Sequence, residues 1–320
     1  MKILKNIAAA TAIAALVTAS LPAVAQTYPT KPVELVVAFQ PGGGVDTMAR
    51  VFAEAARPHL GQSFIVVNKP GASGAIGLSY VANAQPDGYK VAMVFAELLT
   101  VQLLGIAKVS HEDFQPIAKF ASDPSTLTVR ADAPWKTIEE FLAYAKANPA
   151  KVTVSNAGNG SISHISAAAL GHKTGTQYTH VPYQGSAPAV LGLLSGQVDA
   201  TTVNYSVLSP HIASGKLRTL ASMSDKRYAS LAKVPTLKER GVDLSVDVWR
   251  GIAVAKGTPK EIVDTLRQLS SKVARDPKLL DTLQKQNLTF AYEDGDEFAR
   301  TMARESERFR QIIPELGIKN

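Results

Sequence analysis

Four times in this chain an apolar run ends in a turn of Gly, Ser or Asn and passes directly into a helical pattern. The turns are Gln40-Pro41-Gly42-Gly43-Gly44-Val45-Asp46-Thr47, Ser155 to His164, His180 to Pro188, and Asn204-Tyr205-Ser206. A strand followed by a tight turn and a helix is the unit of α/β architecture. In such sheets the turns gather at the carboxyl ends of the strands, where open α/β folds bind ligands. The first turn is the most informative. Its three glycines carry no Cβ, so backbone N–H groups can converge on a ligand beside the positive end of the next helix. No Lys or Arg lies inside it, which favours reversible capture of a small anion over phosphate chemistry.

The same alternation runs along most of the chain and predicts an α/β fold with mostly parallel sheets. Strands are expected at 33–39, 64–68 and 90–95, with helices at 46–59 and from the turn at 69–77 to about 84. A second set follows, with strands at 125–129, 152–155, 178–181, 198–203 and 217–222. Its helices are expected at 137–147, 163–174 and 187–195. Thr137 with Glu140 three residues on forms a capping box. After a returning strand at 246–254 the chain reads as helical over 259–274, 277–286 and 296–313. The expected organisation is two α/β lobes, with the C-terminal helices returning to the first. Lobe I takes residues 26–124 and 247–320, lobe II takes residues 125–246, and the crossovers near 124 and 247 are the expected hinge.

Residues 1–25 read as a cleavable signal peptide. Lys2 and Lys5 precede an apolar run, Ile7 to Val17, that is too short to span a bilayer, and Ala23-Val24-Ala25 fits a cleavage site before Gln26. The product is expected to be exported. The chain has no cysteine, which excludes disulfides, a lipobox anchor and thiolate metal sites. Net charge is +7, without the basic stripe and interleaved aromatics of a nucleic-acid binder. No nucleic-acid partner, cofactor or metal is expected, and the chain is expected to be a monomer.

Enzymatic motifs are missing. There is no Gly-x-x-x-x-Gly-Lys-Ser/Thr loop, no Gly-x-Ser-x-Gly elbow and no His-Glu-x-x-His helix. The six histidines are dispersed. His164 either packs at its helix start or donates to a ligand. Asp46 is expected to cap its helix. Tyr183 and Trp249 read either as core aromatics or, from their flanking glycines, as walls of a cleft. Helix dipoles give only about 0.3–1 kcal/mol each, whereas micromolar binding needs about 8 kcal/mol. A ligand held here must therefore also be enclosed, which favours a cleft that closes.

Several further runs carry a resemblance. They are Tyr28-Pro29-Thr30-Lys31-Pro32-Val33, Pro41 to Asp46, Asn68-Lys69-Pro70-Gly71-Ala72-Ser73-Gly74 and Pro86-Asp87-Gly88-Tyr89. His180 to Ala189, Gly196-Gln197-Val198-Asp199, Trp249-Arg250-Gly251 and Gly257-Thr258-Pro259 complete the series. With these motifs the chain resembles the substrate-binding proteins of tripartite tricarboxylate transporters, the Bug or TctC-like family. The resemblance implies a two-lobe clamshell of the type II-like periplasmic-binding-protein fold, with a cleft between the lobes, that binds a small carboxylate-containing organic acid in the periplasm and delivers it to membrane transporter subunits. It implicates Gly43, Gly44 and Asp46 on the first lobe. On the second it implicates Ala157, Gly158, Ser161, Ser163, His164, Gly185, Ser186, Ala187 and Asn204. Tyr183, Trp249 and Glu97 complete the expected ligand-binding set.

Two positions depart from the family pattern. Ala96-Glu97-Leu98-Leu99 stands where small polar residues are usual. If Glu97 faces the cleft, it rejects a second carboxylate and favours an amine or hydroxyl; otherwise it faces solvent or the register shifts. Arg250 stands where an aromatic or apolar residue is common, and either attracts a distal carboxylate or points outward. Two other readings stay open at this point: a ligand sensor for a membrane signalling partner, and a hydrolase using Ser161 or Ser163 with His164.

Overall fold

A computed structural model describes residues 28–42 and 44–318. The expected signal segment 1–25, the cleavage point beside Gln26, and Gly43 lie outside the described residues. In chain order the elements begin β1 (Val33–Val37), α1 (Gly44–Leu60), β2 (Phe64–Asn68), α2 (Ala75–Ala82), β3 (Lys90–Phe95) and β4 (Phe114–Ser122). Next come β5 (Thr126–Arg130), α3 (Ile138–Ala147), β6 (Thr153–Asn156), α4 (Ile162–Thr174) and β7 (Thr179–Pro182). They are followed by α5 (Ser186–Leu194), β8 (Ala200–Thr201), α6 (Tyr205–Ala213) and β9 (Leu217–Ser222). The chain returns through β10 (Arg250–Ala255), α7 (Lys260–Val273), α8 (Pro277–Lys285), β11 (Thr289–Asp294) and α9 (Gly295–Ile312).

The strands form two sheets, ordered β11-β4-β10-β3-β1-β2 and β7-β6-β8-β5-β9. Both are mixed, which corrects the expectation of mostly parallel sheets. Pairs built from strand–helix–strand units are parallel: β1 with β2 and β3, and β6 with β7 and β8. Strands next to the crossovers pair antiparallel: β10 with β3 and β4, and β5 with β8 and β9. A strand entering a sheet from the far side has no crossover helix to turn it round.

Two strands have no counterpart in the sequence reading. In β4 the apolar run is interrupted by Pro116 and by Lys119, yet the strand is buried almost throughout. Lys119 is buried because its ammonium reaches Glu293 of β11 at 2.6 Å. β11 is a half-exposed edge strand on β4, with too little apolar contrast to show a period of two.

Helix α1 owes its position to one apolar face. Met48, Ala49, Phe52, Ala55 and Ala56 are buried, and Phe52 meets Phe64 and Phe120 with ring centroids 5.4 and 5.3 Å apart. Burying such a ring contributes about 2–3 kcal/mol. It seats α1 over β1 and β2, with Gly44 at its first position beside Arg250, where β10 begins.

The chain passes between the sheets twice, at 123–125 and at 246–249, and the two passages lie side by side. Ser125 N–H donates to the Val246 carbonyl at 3.1 Å, and Val248 N–H donates to the Asp123 carbonyl at 3.2 Å. Pro124 and Asp247 form a bridge, and Asp123 N–H donates to Asp247 Oδ1 at 3.2 Å. These bonds tie the passages into one two-stranded connection. Past α9, residues 313–316 lie against α4, where His172 Nε2 and Glu315 Oε2 are 2.7 Å apart.

Candidate functional site

β10 starts between β3 and β4. Its first residue, Arg250, registers with Phe95 on one side and Ala121 on the other. Two residues beyond those partners stand Glu97 and Asp123, so the topology sets a carboxylate on each flank of one guanidinium. Strand alternation places Arg250 with Ile252 and Val254 on the face covered by α1, and Trp249 with Ala253 on the other. The question left open by sequence is thereby answered. Arg250 is buried, at 7% exposure, and points at the start of α1. A Cβ placed on Gly44 would stand 3.4 Å from Arg250 Nη2.

The guanidinium is poorly paired for its burial. Nη2 lies 3.8 Å from Asp123 Oδ2, too far for a good hydrogen bond. Nε and Nη1 are buried with no partner among the described residues. Orphaned N–H groups of this kind each cost about 1–3 kcal/mol unless something accepts from them.

Asp123, in contrast, is saturated. Its carboxylate accepts from Ser206 N–H at 2.9 Å, from Ser206 Oγ at 2.6 Å and from Asn204 Nδ2. Asn204 Nδ2 also donates to Ser206 Oγ at 3.0 Å. Burial pushes the Asp123 carboxyl up, while Arg250, Ser206 and Asn204 pull it down. Glu97, in a short turn at the end of β3, is pushed up by burial, with Arg250 the opposing charge. Its own backbone N–H donates to its carboxylate, and no ion pair with a Lys, Arg or His side chain is within 4 Å among the described residues. A continuous chain of polar groups thus runs from Gly44 through Arg250 and Asp123 to Asn204 and Ser206, joining strand-exit loops of both sheets.

Asp46 does not face this site. Its carboxylate accepts from Gly42 N–H at 2.9 Å, from Arg50 Nε at 2.9 Å and Nη2 at 3.0 Å, and from Asn68 Nδ2 at 2.8 Å. Asn68 Nδ2 also donates to the Phe39 carbonyl at 3.0 Å. Burial alone would raise the Asp46 carboxyl, but these donors outweigh it and hold it at about 2. The residue buttresses the glycine turn from behind, so its expected ligand contact is corrected to a supporting role.

The loop after β6 is similarly braced. Gly158, with φ +123°, has its N–H on Asn156 Oδ1 at 3.0 Å, and Ala157 N–H donates to Ser163 Oγ at 2.9 Å. Ser161 Oγ accepts from His164 N–H at 3.2 Å, and the two serine hydroxyls are 3.0 Å apart. Ser161 is therefore the helix cap. His164 Nδ1 accepts from Gly160 N–H at 3.1 Å, which assigns the ring proton to Nε2. Burial and the neighbouring His180 lower the His164 imidazole to about 4, so it is neutral at pH 7. The hydrolase reading needs a serine hydroxyl on that imidazole. The bond that His164 makes is to a backbone amide instead.

The loop after β7 lies beside this one, with Tyr183 N–H on the Asn156 carbonyl at 3.0 Å. Gly185, with φ +117°, precedes Ser186 and Ala187 at the start of α5. Thr202 Oγ1 donates to the Ser163 carbonyl at 2.6 Å, which fixes the β8 exit to the same group. Ala157, Gly158, Ser161, Ser163, His164, Gly185, Ser186 and Ala187 thus form one cluster at the carboxyl end of the second sheet.

One aromatic expectation is corrected. Trp249 is fully buried, packs edge-on against Phe298 at 5.0 Å and donates Nε1–H to Glu305 Oε2 at 2.6 Å. It is core, on the strand face opposite Arg250. Tyr183 lies along α5, where Gly192 leaves room for its ring, and its hydroxyl donates to Gln197 Oε1 at 3.2 Å. The residues missed from sequence are Asp123, which the register of β10 between β3 and β4 sets beside Arg250, and Ser206, which bonds to it. A cavity of about 290 Å³ lies elsewhere, between α4, residues 243–247 and α9. None of the expected site residues lines it.

The comparisons with known proteins agree with this architecture. Residues 48–318 match the family model of the tripartite tricarboxylate transporter family receptor, TctC. A UPF0065 protein of Cupriavidus necator is 35% identical over 318 residues, covering 98% of this chain and 96% of its own length. The crystal structure of a TctC solute binding protein from Polaromonas, without ligand, superposes with a TM-score of 0.83. It has 49% identity and covers 90% of this chain and all of its own. The R. palustris protein Rpa4515, solved with adipate, has a TM-score of 0.75 and 30% identity, covering 91% and 99%. The chain belongs to the tripartite tricarboxylate transporter receptor family, TctC, of periplasmic solute-binding proteins.

Proposed function

We propose that this protein captures a small organic acid by closing two lobes over it and hands it to the membrane subunits of a tripartite tricarboxylate-type transporter. Lobe I comprises residues 26–124 and 247–320, lobe II residues 125–246, and the paired passages at 123–125 and 246–249 act as the hinge. The observation that carries the reading is Arg250, a buried guanidinium at the start of α1 with two N–H-bearing nitrogens that have no partner among the described residues. A carboxylate is the planar, bidentate acceptor that fits such a fork. The helix N-terminus adds its dipole to the same charge. The loops at 157–164 and 185–187, with Asn204, supply the second wall.

The complex of Rpa4515 with adipate supports a carboxylate as the cargo of this fold. Thermal-shift screening of mono- and dicarboxylates, hydroxy acids and amino acids tests the proposal. A ligand at about 100 times its Kd adds roughly 2.7 kcal/mol of stability, which gives a clear rise in Tm. Silence across every organic acid, with a response to sugars or metal ions, would refute it.

A further inference from the structure

We propose that Glu97 and Arg250 read opposite ends of one ligand, and that the preferred cargo is an amino acid: its carboxylate sits on Arg250 and its ammonium on Glu97. This deepens the carboxylate reading above and rests on it. Three observations support it. The first is charge balance. Two carboxylates, Glu97 and Asp123, flank a single guanidinium where β3, β4 and β10 meet. Neighbouring cations are already engaged: Arg50 with Asp46, Lys119 with Glu293, and Lys69 over the Tyr80 ring at 4.1 Å. A dianionic acid entering this site adds two negative charges, whereas a zwitterion adds none.

The second observation separates the two acids. Asp123 is filled by Ser206 and Asn204, so it positions Arg250 and has no capacity left for a ligand. Glu97 is met by its own backbone N–H and has no ion pair within 4 Å among the described residues, although it is largely enclosed by protein. A carboxylate so placed gains most from a charged donor. The third is complementarity. Among the described residues Arg250 lacks acceptors at Nε and Nη1, and Glu97, met by its own backbone N–H, lacks a cationic partner within 4 Å. An amino acid supplies both from one molecule.

The test is isothermal titration of the full chain with matched probes. Glycine, β-alanine, 4-aminobutanoate, L-alanine and L-glutamate are compared with the corresponding acids lacking the amine and with malonate, succinate and glutarate. At least one amino acid should bind about tenfold or more tightly than both its deaminated analogue and the diacid of equal length. Glu97→Gln, checked by its melting curve, should bring that ratio to within about threefold of unity. Deaminated acids or diacids that bind as tightly as the amino acids overturn the inference. So does a Glu97→Gln protein that keeps the wild-type ratio. Failure of the carboxylate reading itself would look different, because no acid of any kind would bind.

Discussion

Gly44 offers a substitution that separates binding from folding. It is the first residue of α1, and among the described residues a Cβ there meets Arg250 alone, at 3.4 Å from Nη2 and 3.9 Å from Cζ. Those are ordinary van der Waals distances, so Gly44→Ala introduces no clash. Alanine also costs less backbone entropy in a helix than glycine, by up to about 0.5–1 kcal/mol. Stability should therefore hold or rise, by about 1–3 °C in Tm for a chain of this size. Binding should suffer. The new methyl fills the gap between the helix N-terminus and the guanidinium, where a carboxylate oxygen must approach to about 2.8 Å of an N–H. Loss of one charge-assisted hydrogen bond costs about 1.5–3 kcal/mol, or a rise in Kd of roughly 10- to 150-fold. Calorimetric titration with the tightest acid from the screen, alongside a melting curve, measures both quantities. A variant with wild-type affinity would refute the placement of the acid between α1 and Arg250. One that melts well below the wild type would refute the packing argument.

Two further outcomes follow from groups away from the ligand. Asp46→Ala strips Gly42 N–H, Asn68 and Arg50 of a common acceptor and should cost about 2 kcal/mol by chemical denaturation, with weaker ligand binding as the turn loosens. The Asp46 carboxyl is at about 2 in the fold and near 3.9 unfolded. Its contribution is thus full above about pH 4 and is lost as pH falls through 2, a term of about 1–2 kcal/mol after allowing for the exposed Arg50. Glu305 has the opposite sign. Burial and the nearby Asp247 raise its carboxyl to about 8, despite the hydrogen bond from Trp249. Its stabilising effect is complete below about pH 4.5 and declines as pH rises through 8. Glu305→Gln keeps an acceptor for Trp249 Nε1 and should flatten the fall in Tm between pH 6 and 9. An unchanged pH profile would contradict the assignment.

Much of this molecule was legible from its sequence because parallel strand–turn–helix units declare themselves locally. The exits at Gly42, Ala157, Gly185 and Asn204 each follow an apolar strand and precede a helix, and the fold collects them at two sheet ends. What escaped depends on pairing between distant segments. β4 is hidden by Lys119, whose burial makes sense only beside Glu293, 174 residues further along. β11 is an edge strand held by β4 and has no pattern of its own. Arg250 and Trp249 are adjacent in sequence and face opposite sides of one strand, so flanking glycines pointed to the wrong neighbour. Asp123 resembles any other acid in a loop until the register of β10 sets it beside the guanidinium.

The loop serines show the same limit from the other direction. Ser161 and Ser163 were legible as polar groups in a turn. The structure gives their oxygens to His164 N–H and Ala157 N–H, so at least part of their work is to hold the loop in shape. Composition reveals which atoms are available, and only the folded loop shows which are already committed.

The account stands or falls on Arg250 as the seat of the acid. Its most direct test is calorimetric titration of the wild type and Arg250→Gln with the tightest-binding acid from the thermal-shift screen. Removing a bidentate, charged donor from a buried site predicts a rise in Kd of about 30-fold or more, carried by binding enthalpy. An Arg250→Gln protein that folds and binds within about threefold of the wild type would contradict it.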